Sequence, residues 1–241
     1  YPDRFQKQIN FLENNKSITI CGTQGFWLTD ISQIPLSGWQ YPTDNYYIKL
    51  YLLFVACFGH SSLILRSDFF LLSSLRYNED IKTCEDWDLW IKVSKISKVN
   101  NLSDFLMKYR NVSNSNHRST KNKNLHLKER SMIISNYWKE FGINLSPEQV
   151  FEYYYDTEIQ GKDFYGKLDI LINSFNKLFL NHADDLETED KNKFSYMLAR
   201  KITDFWKRSN VSRYNLSVWF MLIRNVKFIS SARLIKSLIK Q

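Results

Sequence analysis

Apolar positions in the first part of the chain switch between helical and strand spacing. Phe5, Ile9 and Leu12 recur at i, i+4 and i+7, which predicts a first helix with this stripe facing inward. The alternating run 17–22 predicts a strand that ends at its glycine. Pro35, Gly38 and Pro42 predict an irregular loop over residues 23–43, with a few short pieces of regular structure.

The same alternation of helices and strands continues to about residue 110. Asp44 is placed to cap an apolar helix that reaches about residue 55. The pattern then predicts a strand over 61–66, a short helix from Ser67, a helix over 85–97 and a strand over 99–110. This order is typical of an α/β protein.

The rest of the chain has a different pattern. Residues 111–124 are polar and lack periodicity, which predicts a loop, and helical spacing prevails beyond them, with Pro147 at a helix start. The predicted organisation is an α/β region over 1–119 and a mostly α-helical extension over 120–241.

The predicted helix over 85–97 turns one carboxylate toward its apolar side. Asp86 and Trp90 share that side, whereas Asp88 lies opposite, four residues before Lys92, in the favoured order for a helix ion pair. A carboxylate beside tryptophans near a helix start is partly desolvated, which makes Asp86 a candidate general base. The alternative is that Asp86 caps the helix.

Composition excludes several classes of protein. A hydrophobic content of 44% and an aromatic content of 16% exclude global disorder, and 7 glycines and 4 prolines argue against an all-β chain. Cys21, Cys57 and Cys84 are far apart and lack metal-binding spacing, so we expect reduced, buried thiols in a cytosolic protein. Four scattered histidines give no readable zinc site.

The ends of the chain carry two further signals. It starts at Tyr1 without a signal peptide, so we expect an internal segment of a longer protein. Residues 191–241 carry 12 Lys and Arg residues against one acidic residue. With the amphipathic pattern over 228–240, they predict an element that binds an anionic membrane surface. The alternative is that the apolar face of this predicted helix packs on the rest of the protein. No motif predicts a nucleic-acid partner.

Four motifs follow one another over residues 1–119. They are Tyr1-Pro2-Asp3-Arg4-Phe5 with Ile20-Cys21-Gly22-Thr23, then Gly59-His60-Ser61-Ser62, Glu85-Asp86-Trp87-Asp88-Leu89-Trp90 and Tyr109-Arg110. In their order and spacing they resemble the middle and end of the catalytic domain of bacterial family 2 glycosyltransferases.

The resemblance implies the C-terminal part of a GT-A catalytic domain, an incomplete Rossmann-like half. It implies inverting transfer from a nucleotide-sugar donor to a hydroxyl of a glycan or lipid-linked acceptor, in the synthesis of bacterial surface polysaccharides. It also implies a divalent cation, Mg or Mn. The expected location is the cytoplasm, at the inner face of the membrane.

Carried over residue by residue, the resemblance makes Asp86 the catalytic base and Glu85 a neighbouring substrate-binding residue. It suggests that His60 binds acceptor or phosphate, that Trp90 lines the acceptor site and that Arg110 lies near the diphosphate. The alternatives are a structural His60, a core Trp90 and a surface Arg110.

The chain departs from the family in two places. The metal-binding aspartates that precede these motifs in the family are absent, so we expect the cation ligands outside this chain and no activity from it alone. The family histidine that follows the arginine falls at Val112, and His117 is a nearby replacement or an exposed, non-ligating side chain. The competing hypothesis is a non-catalytic membrane-docking or scaffold module built on residues 120–241.

Overall fold

A computed structural model describes residues 1–28, 37–110, 120–155, 161–212 and 214–230, except the side chains of 120–122 and 161–162. The chain divides into two compact units, Tyr1–Arg130 and Ser131–Gln241. The first unit is α/β and the second is helical, which confirms the predicted fold class. The division falls inside a helix that starts at Thr120, close to the predicted boundary.

The first unit places a mixed sheet among helices. Its elements in chain order are α1 (Arg4–Asn14), β1 (Ile18–Leu28), β2 (Ser37–Trp39), α2 (Asn45–Leu52), a 3₁₀ turn (His60–Ser62), β3 (Ile64–Leu65), α3 (Ser67–Ser73), α4 (Glu85–Ile96), β4 (Lys98–Arg110) and the first half of α5 (Thr120–Glu140).

Strand β1 organises this sheet. It runs parallel to β4 along its full length and pairs antiparallel with β2 near one end and β3 near the other. Because β1 and β4 run the same way, Trp27 and Tyr109 are partners in register at the shared end of the sheet. This end carries the cavity described below.

The predicted end of the first strand at Gly22 is wrong, and so is the predicted loop over residues 23–28 and 37–39, whereas residues 40–43 are irregular as predicted. Strand β1 continues to Leu28 and pairs with β2. A Cβ at Gly22 would lie 2.1 Å from Asn101 Oδ1, and one at Gly25 would lie 2.2 Å from Trp39 Cζ2. These glycines allow close packing within a strand; they do not end it.

The predicted inner stripe of α1 is also wrong. Phe5 and Ile9 are 56% and 47% exposed, and only the last residue of the stripe is buried. Gln8 is completely buried instead, and its Nε2 donates to the carbonyl oxygens of Cys21 at 2.6 Å and Ser62 at 2.8 Å. A buried amide whose hydrogens are both used attaches this helix to the sheet.

Most other predicted elements are confirmed. Asp44 caps α2 by accepting the amide hydrogen of Tyr47 at 2.8 Å, and α6 begins at Pro147. The strand predicted over 61–66 is mostly a 3₁₀ turn and a two-residue β3. The polar segment predicted as a loop ends earlier than expected, where α5 begins, and residues 111–119 lie outside the described part.

The second unit contains the remainder of α5, then α6 (Pro147–Tyr155), α7 (Gly161–His182), a 3₁₀ turn (Ala183–Asp185), α8 (Thr188–Arg208) and α9 (Leu216–Asn225). Phe164 of α7 stacks on Phe205 of α8 with ring centroids 5.5 Å apart. Asn176 of α7 donates to the carbonyl of Asn225 at the end of α9.

The structure also describes the state of the cysteines and the length and hydropathy of the helices. The three cysteines are free and buried, as predicted. None of the helices in the described residues combines the length and the apolar character needed to cross a bilayer.

Candidate functional site

A cavity of about 370 Å³ opens in the first unit, where β1 and β4 end. One side is aromatic and is formed by Trp27, Trp39, Tyr41 and Tyr109. The other side is polar and is formed by the 3₁₀ turn and the start of α4. The volume and the mixed lining are those of a small-molecule site.

The aromatic side is a set of rings in mutual contact. The ring centroid of Trp27 lies 4.9 Å from that of Trp39 and 5.3 Å from that of Tyr109. Trp39 is held in place by its indole Nε1, which donates to the carbonyl of Thr23 at 3.2 Å. The planes of these rings are inclined to that of Trp27 by 59° for Trp39 and 77° for Tyr109, so the rings offer separate apolar faces, each of which suits the C–H face of a sugar ring.

Asp86 lies on the polar side with 27% of its side chain exposed. Cys84 occupies the N-cap position of α4 and makes no side-chain capping bond, so Asp86 is the second residue of the helix. Its Oδ1 accepts the amide hydrogen of Trp87 at 2.7 Å. Its Oδ2 lies 3.6 Å from Nδ1 of His60. Asp86 therefore satisfies a first-turn amide without being the N-cap, and its second oxygen is directed at His60.

His60 in turn contacts Tyr77, a residue that no sequence motif indicated. Tyr77 Oη lies 3.2 Å from His60 Nε2. Burial raises the pKa of Tyr77, and the negative charges of Asp86 and Glu85 raise it further, so the phenol stays protonated at neutral pH. Tyr77 belongs to the irregular segment between α3 and α4, where local spacing carries no signal.

Glu85 precedes Asp86 and also lines the cavity. Its Oε2 has almost no exposed surface and no hydrogen-bond partner among the described residues. Buried polar atoms are normally paired, so an unpaired oxygen beside a cavity calls for a functional explanation.

Two predicted site residues do not line the cavity. Trp90 is completely buried, and its ring lies behind those of His60 and Tyr77, at 5.8 Å and 6.4 Å between centroids. It therefore supports the site from the core. Arg110 is exposed at the end of β4, and its neighbour Tyr109 is the one that faces the cavity, as alternation along a strand requires.

The loop before α4 is held by a carboxylate from α5. Glu129 is 6% exposed and accepts the amide hydrogens of Lys82 and Thr83, both at 2.8 Å, as well as the Thr83 hydroxyl at 2.5 Å. These three bonds fix the chain immediately before Glu85 and Asp86. No local pattern indicates this role, because Glu129 is far from residues 82 and 83 along the chain.

The described residues do not form a metal centre of their own. They include no group of three or more His, Cys, Asp or Glu side chains that could hold an ion. The predicted divalent cation stays a prediction whose ligands were expected elsewhere. His117 and the helix predicted over 228–240, from residue 231 onward, lie outside the described residues.

No profile of a known protein family matches the chain. A protein from Methanocaldococcus jannaschii named as an uncharacterized glycosyltransferase is 25% identical over 159 residues, which cover 60% of this chain. The chain is distantly related to that protein. Since the match covers 53% of the relative, the chain spans about half of its length.

Proposed function

We propose that the protein is a glycosyltransferase in which Asp86 is the general base. The observation that carries this proposal is the half-buried Asp86 carboxylate in a cavity with an aromatic side, in a chain distantly related to a protein named as a glycosyltransferase. A base needs a partly desolvated carboxylate within reach of bound substrate, and this position provides both.

The proposed reaction is an inverting displacement. The acceptor sugar lies against the aromatic side, and Asp86 takes the proton of its hydroxyl. The oxygen attacks the anomeric carbon of the donor sugar, the bond from that carbon to the phosphate oxygen breaks, and its electron pair leaves with the nucleoside diphosphate. A positioned base of this kind contributes about 10²–10⁴-fold to a rate.

The finer features implied by the resemblance belong to the same proposal. They are the GT-A fold, membership of family 2, a nucleotide-sugar donor, a glycan or lipid-linked acceptor, surface polysaccharide synthesis and a cytoplasmic location. A Mg or Mn ion would neutralise charge on the leaving diphosphate. The described residues offer no cluster of ligands for such an ion.

The proposal is tested by the substitution Asp86→Asn, made in the full-length native protein that contains this chain. Release of nucleoside diphosphate is measured with a panel of nucleotide sugars and acceptors. We expect kcat to fall by about 10²-fold or more while donor binding is kept. Asp88→Asn is the matched control, because Asp88 lies on the same helix but pairs with Lys92 at 2.5 Å.

Two results would contradict the proposal at different levels. Full transfer by the Asp86→Asn protein would refute the assignment of the base. Absence of turnover in the wild-type protein with every donor would refute the glycosyltransferase function itself.

We also infer a membrane-docking role for the second unit, because α9 is apolar on two sides. Val218 and Leu222 are buried, whereas Leu216, Phe220 and Ile223 are 71%, 72% and 44% exposed at i, i+4 and i+7. An exposed apolar stripe in a region with 12 basic residues and one acidic residue suits an anionic lipid surface. Such docking fits an enzyme with a lipid-linked acceptor.

A further inference from the structure

The polar side of the cavity contains two neighbouring carboxylates and the imidazole of His60. Glu85 and Asp86 are consecutive residues of α4, and no Lys or Arg belongs to the described lining. Arg4 reaches the rim, where its Nη1 donates to the backbone oxygen of Ser61 at 2.8 Å. A lining with this charge pattern attracts cations and neutral hydrogen-bond donors and repels anions.

The two carboxylates differ in how they are satisfied. Asp86 uses Oδ1 for a backbone amide and directs Oδ2 at His60. Glu85 keeps Oε2 buried and without a hydrogen-bond partner among the described residues. Because Oε2 has almost no exposed surface, a ligand in the cavity would meet Glu85 through its other oxygen, Oε1. A donor brought there offsets part of the cost of a carboxylate that is left without a hydrogen-bond donor.

We propose that the cavity selects an acceptor whose terminal sugar is uncharged or carries an ammonium group, and that it excludes sugars bearing carboxylate, sulfate or phosphate. Glu85 determines this specificity, since it accepts a hydroxyl or ammonium hydrogen and leaves Asp86 to act on the reacting hydroxyl. The inference rests on the proposed function, because it treats the cavity as the acceptor site.

The aromatic side supports the same selection. Trp27, Trp39 and Tyr109 present ring systems whose faces carry partial negative charge. An ammonium-bearing sugar is attracted both by these faces and by Glu85. A sugar acid would meet two carboxylates and electron-rich rings, without a Lys or Arg of the described lining to pair with, and the one imidazole there, His60, already faces Asp86.

The test measures binding alone, with the 241-residue chain and without a donor. Methyl glucoside, glucosamine and glucuronate are titrated at about pH 6.5, where the amine of the second is largely protonated, and binding is followed by saturation-transfer NMR. Tryptophan fluorescence is a second readout, because Trp27 and Trp39 line the cavity. We expect glucosamine to bind most tightly, methyl glucoside next and glucuronate at least about tenfold more weakly than glucosamine.

Variants at one position assign the effect to Glu85. Glu85→Gln keeps the shape and removes the charge, so the ratio of glucosamine to glucuronate affinity should fall about tenfold. Glu85→Asp keeps the charge and should keep the order of the three sugars. Glu79→Gln, an exposed position just before α4, is the control for a general change in charge. Thermal unfolding of each variant checks that it is folded.

Three outcomes overturn the inference. They are glucuronate binding as tightly as glucosamine, an unchanged ratio in Glu85→Gln, and no binding of any of the three sugars. The proposed function fails separately, because it is judged by transfer. A chain with the expected selectivity and no transferase activity would be a sugar-binding protein, whereas an active enzyme without the selectivity would refute only the role of Glu85.

Discussion

The imidazole Nδ1 of His60 lies 3.6 Å from Oδ2 of Asp86. This distance exceeds that of a hydrogen bond, so the contact is electrostatic. On its other side, His60 Nε2 is 3.2 Å from the hydroxyl of Tyr77. A protonated phenol that donates to Nε2 leaves the hydrogen on Nδ1, where it faces Asp86. The three residues thus form a chain that orients the proposed base.

We therefore predict that Tyr77→Phe lowers kcat several-fold and that His60→Gln lowers it about tenfold, with little change in KM for the acceptor. The reason is that both variants remove orientation of Asp86 and leave the aromatic side intact. Steady-state kinetics that separate kcat from KM test this. Tyr214→Phe is the matched control, since Tyr214 is 90% exposed on the second unit. A rise in KM alone would indicate acceptor contact and contradict the positioning role.

Glu129 offers a second prediction, about stability and activity together. Glu129→Ala leaves the amides of Lys82 and Thr83 without their acceptor, so we expect a loss of about 2–4 kcal/mol in the free energy of unfolding. Glu129→Gln keeps one carbonyl oxygen and should lose less. Urea unfolding followed by circular dichroism gives both values.

The same variants should lower transfer, because the loop that Glu129 holds leads directly into Asp86. The control Glu79→Gln, at an exposed position, should leave transfer unchanged. It should change the free energy of unfolding by no more than about 0.5 kcal/mol. If Glu129→Ala matched the wild type in stability, the buried carboxylate would not be the anchor of this loop.

Gly25 gives a third prediction, about the aromatic side of the cavity. A Cβ at Gly25 would lie 2.2 Å from Cζ2 of Trp39, so Gly25→Ala must displace that ring. We expect weaker sugar binding and a loss of about 1–3 kcal/mol in stability. Titration with methyl glucoside and urea unfolding measure the two effects.

Gly166→Ala is the control for Gly25→Ala. Gly166 lies within α7, and a Cβ there meets no atom within 4 Å. Alanine should stabilise that helix by about 0.5–1 kcal/mol. A Gly25→Ala protein that behaved in the same way would show that Trp39 has room to move and is not fixed by this contact.

These residues explain how far the sequence could predict the structure. The helix of Asp86 and the cap of α2 follow from local spacing, because helix periodicity and capping depend on neighbours a few positions apart. The interpretation of Gly22 as the end of a strand is wrong, and Gly25 lies in a segment predicted as a loop, since the reason for both glycines is a side chain far along the chain. Asn101 and Trp39 occupy the space that a Cβ would take.

For the candidate site too, only residues that belong to a local pattern or a motif could be predicted. Asp86 was found by helical spacing, and the resemblance to a family added Glu85 and His60. Tyr77 and Glu129 carry no local pattern, because each matters only through a segment that the fold brings next to it. Helical spacing places Trp90 on the same side of α4 as Asp86. It cannot distinguish a ring that lines the cavity from one that lies behind the cavity wall.

Alkaline pH gives a fourth prediction, from two buried thiols. Burial raises the pKa of Cys21 and of Cys84 from 9.0 to about 12. Above pH 9 the unfolded chain releases these protons while the folded chain keeps them, so stability is full below pH 9 and falls as pH rises toward 12. The loss is at most about 1.4 kcal/mol per pH unit for each thiol.

Urea unfolding at about pH 8 and pH 10.5 measures this loss. Cys84→Ser removes one of these groups and should make the fall with pH shallower without abolishing it, because Cys21 and Cys57, whose pKa burial also raises well above 9.0, remain. In the native protein at about pH 8, neither thiol should react with a thiol reagent until urea is added. Rapid reaction without urea would contradict the buried, protonated state of both residues.

The exposed stripe of α9 gives the last prediction. Replacing Leu216 and Phe220 by Ser removes apolar area that lies 71% and 72% exposed, so it should abolish binding to anionic vesicles and leave the fold intact. Co-sedimentation with vesicles of anionic and of neutral lipid measures binding, and thermal unfolding checks the fold. Leu180→Ser is the matched control, because Leu180 is an exposed apolar residue (60%) of α7 that does not belong to the stripe. Since the basic charge of residues 191–241 contributes, salt should weaken binding of the wild type. Equal binding by the double variant and the wild type would leave charge alone as the cause and would refute docking through α9.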